Sequence, residues 1–122
     1  MTLTRAIPIS VHGAVEVAAA PLLLVAPFAL GFSAAAGALS FALGVLLIGL
    51  AVSIYGGQGD RAPLPLTAHA GFDYMLAGAT IAIGLATGLV AGDLTAAIFL
   101  VGFGSAHLAL TASTRYTRPL GA

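Results

Sequence analysis

Residues 17–59 read VAAAPLLLVAPFALGFSAAAGALSFALGVLLIGLAVSIYGGQG, with no charged side chain between Glu16 and Asp60. A bilayer span needs only about 20 apolar residues in a row. Small residues at SAAAG (33–37) break the run into two segments, about Pro8 to Phe32 and about Ala38 to Tyr55. A connector, GGQGDRAP (56–63), has the glycine and proline punctuation of a loop. Two further apolar segments follow, about Pro65 to Val90 and Leu94 to Ala112, separated by the turn AGD (91–93). Each can cross roughly 30 Å of hydrocarbon at 1.5 Å per residue. Helix is the expected state, because an open strand in lipid leaves backbone groups unpaired.

The expected fold class is therefore all-α, a single integral membrane domain of four transmembrane helices. A cytoplasmic loop covers 56–64, and a short polar tail over 113–122 is expected to fray. Composition agrees: the chain of 122 residues is 60% hydrophobic and 7% charged, with a mean hydropathy of +1.10. A soluble domain carries roughly 25% charged residues. There are no cysteines, so disulfides and thiolate ligands are excluded. Net charge is zero, and no basic patch points to nucleic acid. The absence of lysine reads as genome bias rather than mechanism. The first apolar run, interrupted by His12 and Glu16, does not read as a cleaved signal peptide.

Arg5, Arg61, Arg115 and Arg118 lie before the first segment, between the second and third, and after the fourth. With four spans these regions share one face, and the positive-inside bias puts both termini and the middle loop in the cytoplasm. Asp93 is left on the outer side as the expected N-cap of the fourth helix.

Placing Pro8 on Pro65 also places Ser10 on Thr67, His12 on His69 and Glu16 on Asp73. GVLLIGLAVS (44–53) then aligns with GFGSAHLALT (102–111) after a one-residue slip. The chain thus reads as a tandem, parallel repeat of a two-helix hairpin, repeat 1 about 8–55 and repeat 2 about 65–112. Its axis should lie along the membrane normal. Small residues let helices approach in lipid, and Gly31, Gly37, Gly44 and Gly49 in one half and Gly78, Gly84, Gly102 and Gly104 in the other are the candidates. Pro21 and Pro27 fall on Gly78 and Gly84, where bends or simple close packing would follow.

The repeat carries its polar residues in PISVHGAVEV (8–17) and PLTAHAGFDY (65–74). Proline suits a first helical turn, and Ser10 or Thr67 is placed to cap it. Four residues separate each histidine from its acid, so each pair shares one helix face. The acid then lies roughly 12 Å inside the helix start, where an isolated carboxylate is costly and should face other helices. His107 lies near the same end, with Gly49 as its repeat mate, and Tyr55 and Tyr74 are close by. His12, Glu16, His69, Asp73 and His107 are the candidate site.

Four readings of this cluster stay open. The simplest is structural: each acid hydrogen-bonds its histidine and fastens helices together in an accessory or self-associating bundle, alone as a homo-oligomer or in a larger membrane complex. A metal centre is the second, with His12, His69 and His107 as ligands beside the two acids, a set suited to zinc, iron, manganese or nickel. Haem held by His12 and His69 is the third. A proton path or small proton-coupled transporter is the fourth. A likeness to the small multidrug resistance family in helix number and in its helix 1 acid is weakened by the one-sided arginines. No catalytic constellation points to an enzyme.

Each half also runs from histidine through three residues to an acid, then an apolar run; in the first, Ala26-Pro27-Phe28 precedes Gly31-Phe32. This resembles the SPW-repeat family of small bacterial membrane proteins. The second half has Ile83-Gly84-Leu85 in place of the Pro-aromatic step. The resemblance implies four helices in two hairpins in a bacterial inner membrane, and no particular reaction or ligand.

Overall fold

The computed structural model describes residues 5–55 and 64–117. The connector over 56–63, with Arg61, and the last tail residues, with Arg118, lie outside the described residues. Among the described residues four helices form: α1 Ile9–Leu30, α2 Ala34–Val52, α3 Leu66–Leu89 and α4 Leu94–Ala112. All four are long and apolar enough to cross a membrane. Only 28–33% of each apolar window is buried within the bundle. Val25, Phe28, Leu46, Met75 and Ile98 are among the large side chains left on the outside, a surface suited to lipid and costly in water.

The helices stand in a square. α1 packs most densely on α2 and α3 on α4, while the α2–α3 and α1–α4 contacts are slighter. α1 and α3 therefore face each other across a diagonal. Ala20, Leu23, Leu43, Leu47 and Leu100 fill the middle of the bundle.

The helix ends follow local chemistry. α2 begins at Ala34, earlier than the small-residue turn implied, because the Ser33 side chain caps it by accepting from the Ala36 N–H at 3.3 Å and alanine is a strong helix former. Gly31 closes α1 in the left-handed region, φ 69°, and the Phe32 N–H returns to the Pro27 carbonyl. Asp93 caps α4 as expected, accepting from the Ala96 N–H at 3.1 Å. Ser10 and Thr67 make no capping bond; Pro8 and Pro65 occupy the N-cap positions of α1 and α3 themselves.

α1 runs through Pro21 and Pro27 without a break. Pro27 has no N–H for the Leu23 carbonyl one turn back. The buried Ser40 hydroxyl of α2 donates to that carbonyl instead, at 2.7 Å. Only part of the expected glycine set packs closely. A Cβ at Gly44, Gly84 or Gly104 would come within 3.0 Å of a neighbouring helix, and one at Gly37 within 3.3 Å of Pro27. Gly31, Gly49, Gly78 and Gly102 have nothing within 4 Å, since they face outward or lie in a turn. Gly13 and Gly88 pack tightly without having been expected to.

The tail also departs from expectation. Thr114–Arg115 (β2) pairs in parallel with Ile7–Pro8 (β1), in register Ile7↔Thr114 and Pro8↔Arg115. The Ile7 N–H donates to the Ser113 carbonyl at 3.0 Å. The residues leaving α4 are thus tied to those leading into α1, and Thr114 is buried.

Candidate metal centre

α1 and α3 each carry a histidine in the first turn and an acid one turn later, on the face turned to the bundle interior. α4 brings His107 to the same level from the opposite direction. His12, Glu16, His69, Asp73 and His107 are all buried, with His12 and Asp73 at 0% exposure. All five expected site residues therefore meet at one point. Tyr55 and Tyr74 do not join them: the Tyr55 hydroxyl donates to the Ser10 carbonyl at 3.3 Å, and Tyr74 lines the end face.

The three Nε2 atoms converge on the carboxylates. His12 Nε2 lies 3.1 Å from Glu16 Oε1 and 2.9 Å from Asp73 Oδ2. His69 Nε2 lies 3.3 Å from Glu16 Oε1 and 3.2 Å from Asp73 Oδ2. His107 Nε2 lies 2.8 Å from Glu16 Oε2 and 3.6 Å from Asp73 Oδ1. One donor atom from each of His12, Glu16, His69 and Asp73 falls within 4.8 Å of the others.

The far side of two imidazoles fixes their protons. Thr114 Oγ1 donates its one proton to the Leu110 carbonyl at 2.6 Å. At 2.8 Å from His12 Nδ1 it therefore accepts from the Nδ1–H. Ser53 Oγ likewise donates to the Leu50 carbonyl and sits 3.4 Å from His69 Nδ1. When neutral, both rings carry their proton on Nδ1 and turn an Nε2 lone pair toward the acids. His12 Nε2 makes no aligned hydrogen bond despite its two close oxygens, and Asp73 Oδ1 also lacks one. A nitrogen with carboxylate oxygens off its axis is what adjacent ligands of one ion look like. Metal–ligand bonds of roughly 2.0–2.2 Å place neighbouring donors about 3–3.5 Å apart.

Haem does not fit between His12 and His69. Their ring centroids are 5.8 Å apart, edge to face, and Glu16 Oε1 lies within 3.3 Å of both Nε2 atoms. No slot for a macrocycle is left.

Tyr116 closes the cluster from the end. Its hydroxyl donates to Asp73 Oδ2 at 2.7 Å, and its ring lies 5.2 Å from that of His12. Burial, then the Asp73 carboxylate, raise its phenol above the usual tyrosine range, so it remains a donor. A cavity of about 460 Å³ outside it is lined by Arg5, Thr111 and Arg115 among others. Ser53, Thr114 and Tyr116 were missed in the sequence. The available signal was that a hydroxyl residue follows each of α2 and α4 at the polar end.

Comparison with protein-family models, curated proteins and solved structures gives no match.

Proposed function

We propose that the protein is a membrane module that holds one divalent transition-metal ion between α1, α3 and α4. The observation that carries this reading is the orientation of His12: the Thr114 hydroxyl accepts from its Nδ1–H, so the neutral ring points an Nε2 lone pair at carboxylate oxygens with which it makes no aligned hydrogen bond. Histidine ligands of metals characteristically donate their second N–H in this way. Three neutral imidazoles, two carboxylates and a divalent ion sum to no net charge, as the hydrocarbon depth favours. The nitrogen and oxygen donors suit zinc, iron, manganese or nickel.

Elemental analysis of protein purified without chelator tests this. About one ion per chain is expected, lost in the His12→Ala/His69→Ala double variant. Metal-free wild type after growth with all four metals would overturn it.

Two contacts favour the structural clasp as a second reading. His107 Nε2 with Glu16 Oε2 at 2.8 Å and His69 Nε2 with Glu16 Oε1 at 3.3 Å form aligned hydrogen bonds, which suit histidines that donate to the acid. In a pure clasp His12 and His69 would be imidazolium ions.

The tandem repeat is part of the proposal. Its support is the burial of His12 and His69, Glu16 and Asp73, and Ala20 and Ala77 in α1 and α3, and of Ala36 and Ala96, Gly44 and Gly104, and Ala51 and Thr111 in α2 and α4. In this register His107 matches the buried Leu47, not the exposed Gly49. A bacterial inner-membrane location with cytoplasmic termini rests on the arginines and on the SPW-repeat resemblance. Assembly as a homo-oligomer or within a larger complex is open to the outward apolar surface.

A further inference from the structure

The pairing of β1 with β2 brings Arg5 and Arg115, from opposite ends of the described chain, to one cavity at the polar end of the bundle. Its volume is about 460 Å³. Every charged residue of its lining is an arginine, and among the described residues neither arginine forms an ion pair. Thr67 and Tyr74 of α3 add hydroxyl groups to the wall. On α4, Thr111 carries a hydroxyl that is buried and makes no aligned hydrogen bond. Tyr116, whose hydroxyl is committed to Asp73, walls the cavity off from the cluster.

We propose that this cavity binds a phosphate group, its oxygens shared between Arg5 and Arg115 and its substituent in the rest of the space. A guanidinium presents its N–H donors in a planar fork that matches two oxygens of a carboxylate or a phosphate. Two forks in one cavity call for more oxygens than a single carboxylate has, and a tetrahedral phosphate supplies them. Location argues the same way. The cavity lies where α3 begins and α4 ends, the level at which spans leave the hydrocarbon for the headgroup layer. Basic pockets at that level take anionic lipid headgroups. A phosphate oxygen also gives the Thr111 hydroxyl an acceptor, where burial without one is costly. Sites for small molecules run roughly 300–1,000 Å³, so there is room for a phosphate that belongs to a lipid headgroup or to a soluble ester. Tyr116 stands between this site and the cluster, so the inference does not rest on the metal reading.

The test uses the full chain, freed of lipid in an uncharged maltoside detergent. Phosphatidylglycerol is added in one arm, with retention read by native mass spectrometry. Glycerol phosphate is added in the other, with binding read by phosphorus NMR line broadening. Saturable binding is expected in at least one arm. Binding in the first arm alone identifies a lipid headgroup, and displacement of the lipid by glycerol phosphate identifies a soluble ligand; either supports the site. Arg5→Gln/Arg115→Gln is expected to weaken binding about tenfold, roughly 1.4 kcal/mol, and Arg5→Gln alone serves should the double variant misfold. Thr111→Val keeps every charge and nearly the same shape, and is expected to weaken binding about threefold. No saturation in either arm, equal retention of an uncharged diacylglycerol, or full binding by the arginine variants overturns the proposal. So does a loss in the arginine variants with none in Thr111→Val, which would reduce the effect to general attraction by surface charge.

Discussion

Under the proposed repeat, the hairpins α1–α2 and α3–α4 place like residues at His12 and His69, Glu16 and Asp73, and Gly44 and Gly104, yet differ at five buried positions, three of them with consequences for the site or the backbone. Leu47 in the first stands where His107 stands in the second, which makes the cluster lopsided: three imidazoles around two acids. The other two of the three go together. Where α1 has Pro27, α3 has Gly84, which restores the backbone N–H. Where α2 has Ser40, which serves the carbonyl that Pro27 leaves free, α4 has Leu100. The backbone economy of each hairpin is thus complete by a different route, whereas the third histidine has no compensating partner and points to chemistry.

The largest effect should come from breaking the acid pair. Each acid lies near all three histidines, so Glu16→Ala and Asp73→Ala leave buried positive charge uncompensated, whether it sits on the ion or on an imidazolium. Each should cost about 3–5 kcal/mol, the range for removing one partner of a buried ion pair, read by denaturant unfolding in detergent. The two variants should differ at the tail. Asp73→Ala also releases Tyr116, so trypsin should cut after Arg115 faster in Asp73→Ala than in Glu16→Ala. Equal cleavage would mean that the β1–β2 pairing alone holds the tail.

Making the hairpins alike is the next test. His107→Leu gives both halves a leucine at this level. Loss of an outer partner of a metal ligand typically costs 10–100-fold in affinity, and loss of a ligand should cost at least about 100-fold. Competition with a chromophoric chelator reads this directly. Unchanged affinity would confine the ion to His12, Glu16, His69 and Asp73, the four residues whose donor atoms fall within 4.8 Å of one another.

Third in size is the proline–serine pair. Ser40→Ala leaves the Leu23 carbonyl unsatisfied in a dry bundle, at a cost of about 1–3 kcal/mol. Pro27→Ala restores a backbone donor, so adding Ser40→Ala to it should cost much less. A double-mutant cycle on unfolding free energy isolates the coupling, and additive costs would show that the hydroxyl does not substitute for the missing N–H.

The four apolar helices were legible because lipid leaves the backbone few options. The five cluster residues were legible because charge and imidazole stand out against alanine and leucine. Spacing four residues apart put His12 with Glu16, and His69 with Asp73, on single faces. The supporting residues were hidden for the opposite reason. Ser53 and Thr114 are ordinary polar residues at helix ends, and their role depends on which carbonyl takes their proton. Tyr116 lies in a segment whose composition resembles a frayed end, and only its pairing beside β1 brings it to Asp73. The level of His107 was legible from its distance to the end of the fourth apolar run. Its repeat mate instead depends on where a gap is placed in glycine-rich sequence; under the proposed repeat, burial favours Leu47 over the exposed Gly49.

The smallest effect belongs to the outer turns, where the two hairpins meet again. Ser33 caps α2 with a neutral hydroxyl, while the Asp93 carboxylate caps α4 and also accepts from the Ser33 N–H at 2.8 Å. These two backbone donors, Ser33 first and Ala96 second, lower the Asp93 pKa below the ordinary aspartate value. A carboxyl whose folded pKa is depressed stabilises fully above its unfolded value and loses that contribution as pH falls through the folded one. Asp93→Ala should therefore lower the unfolding temperature by a few degrees at neutral pH, and its gap from wild type should narrow in acid as the wild-type carboxylate is protonated. Ser33→Ala removes a cap that does not itself titrate and only the smallest of the contacts that lower the Asp93 pKa, so its gap should change much less over the same range. Parallel pH profiles for the two variants would mean that the Asp93 contribution is conformational rather than charge-assisted.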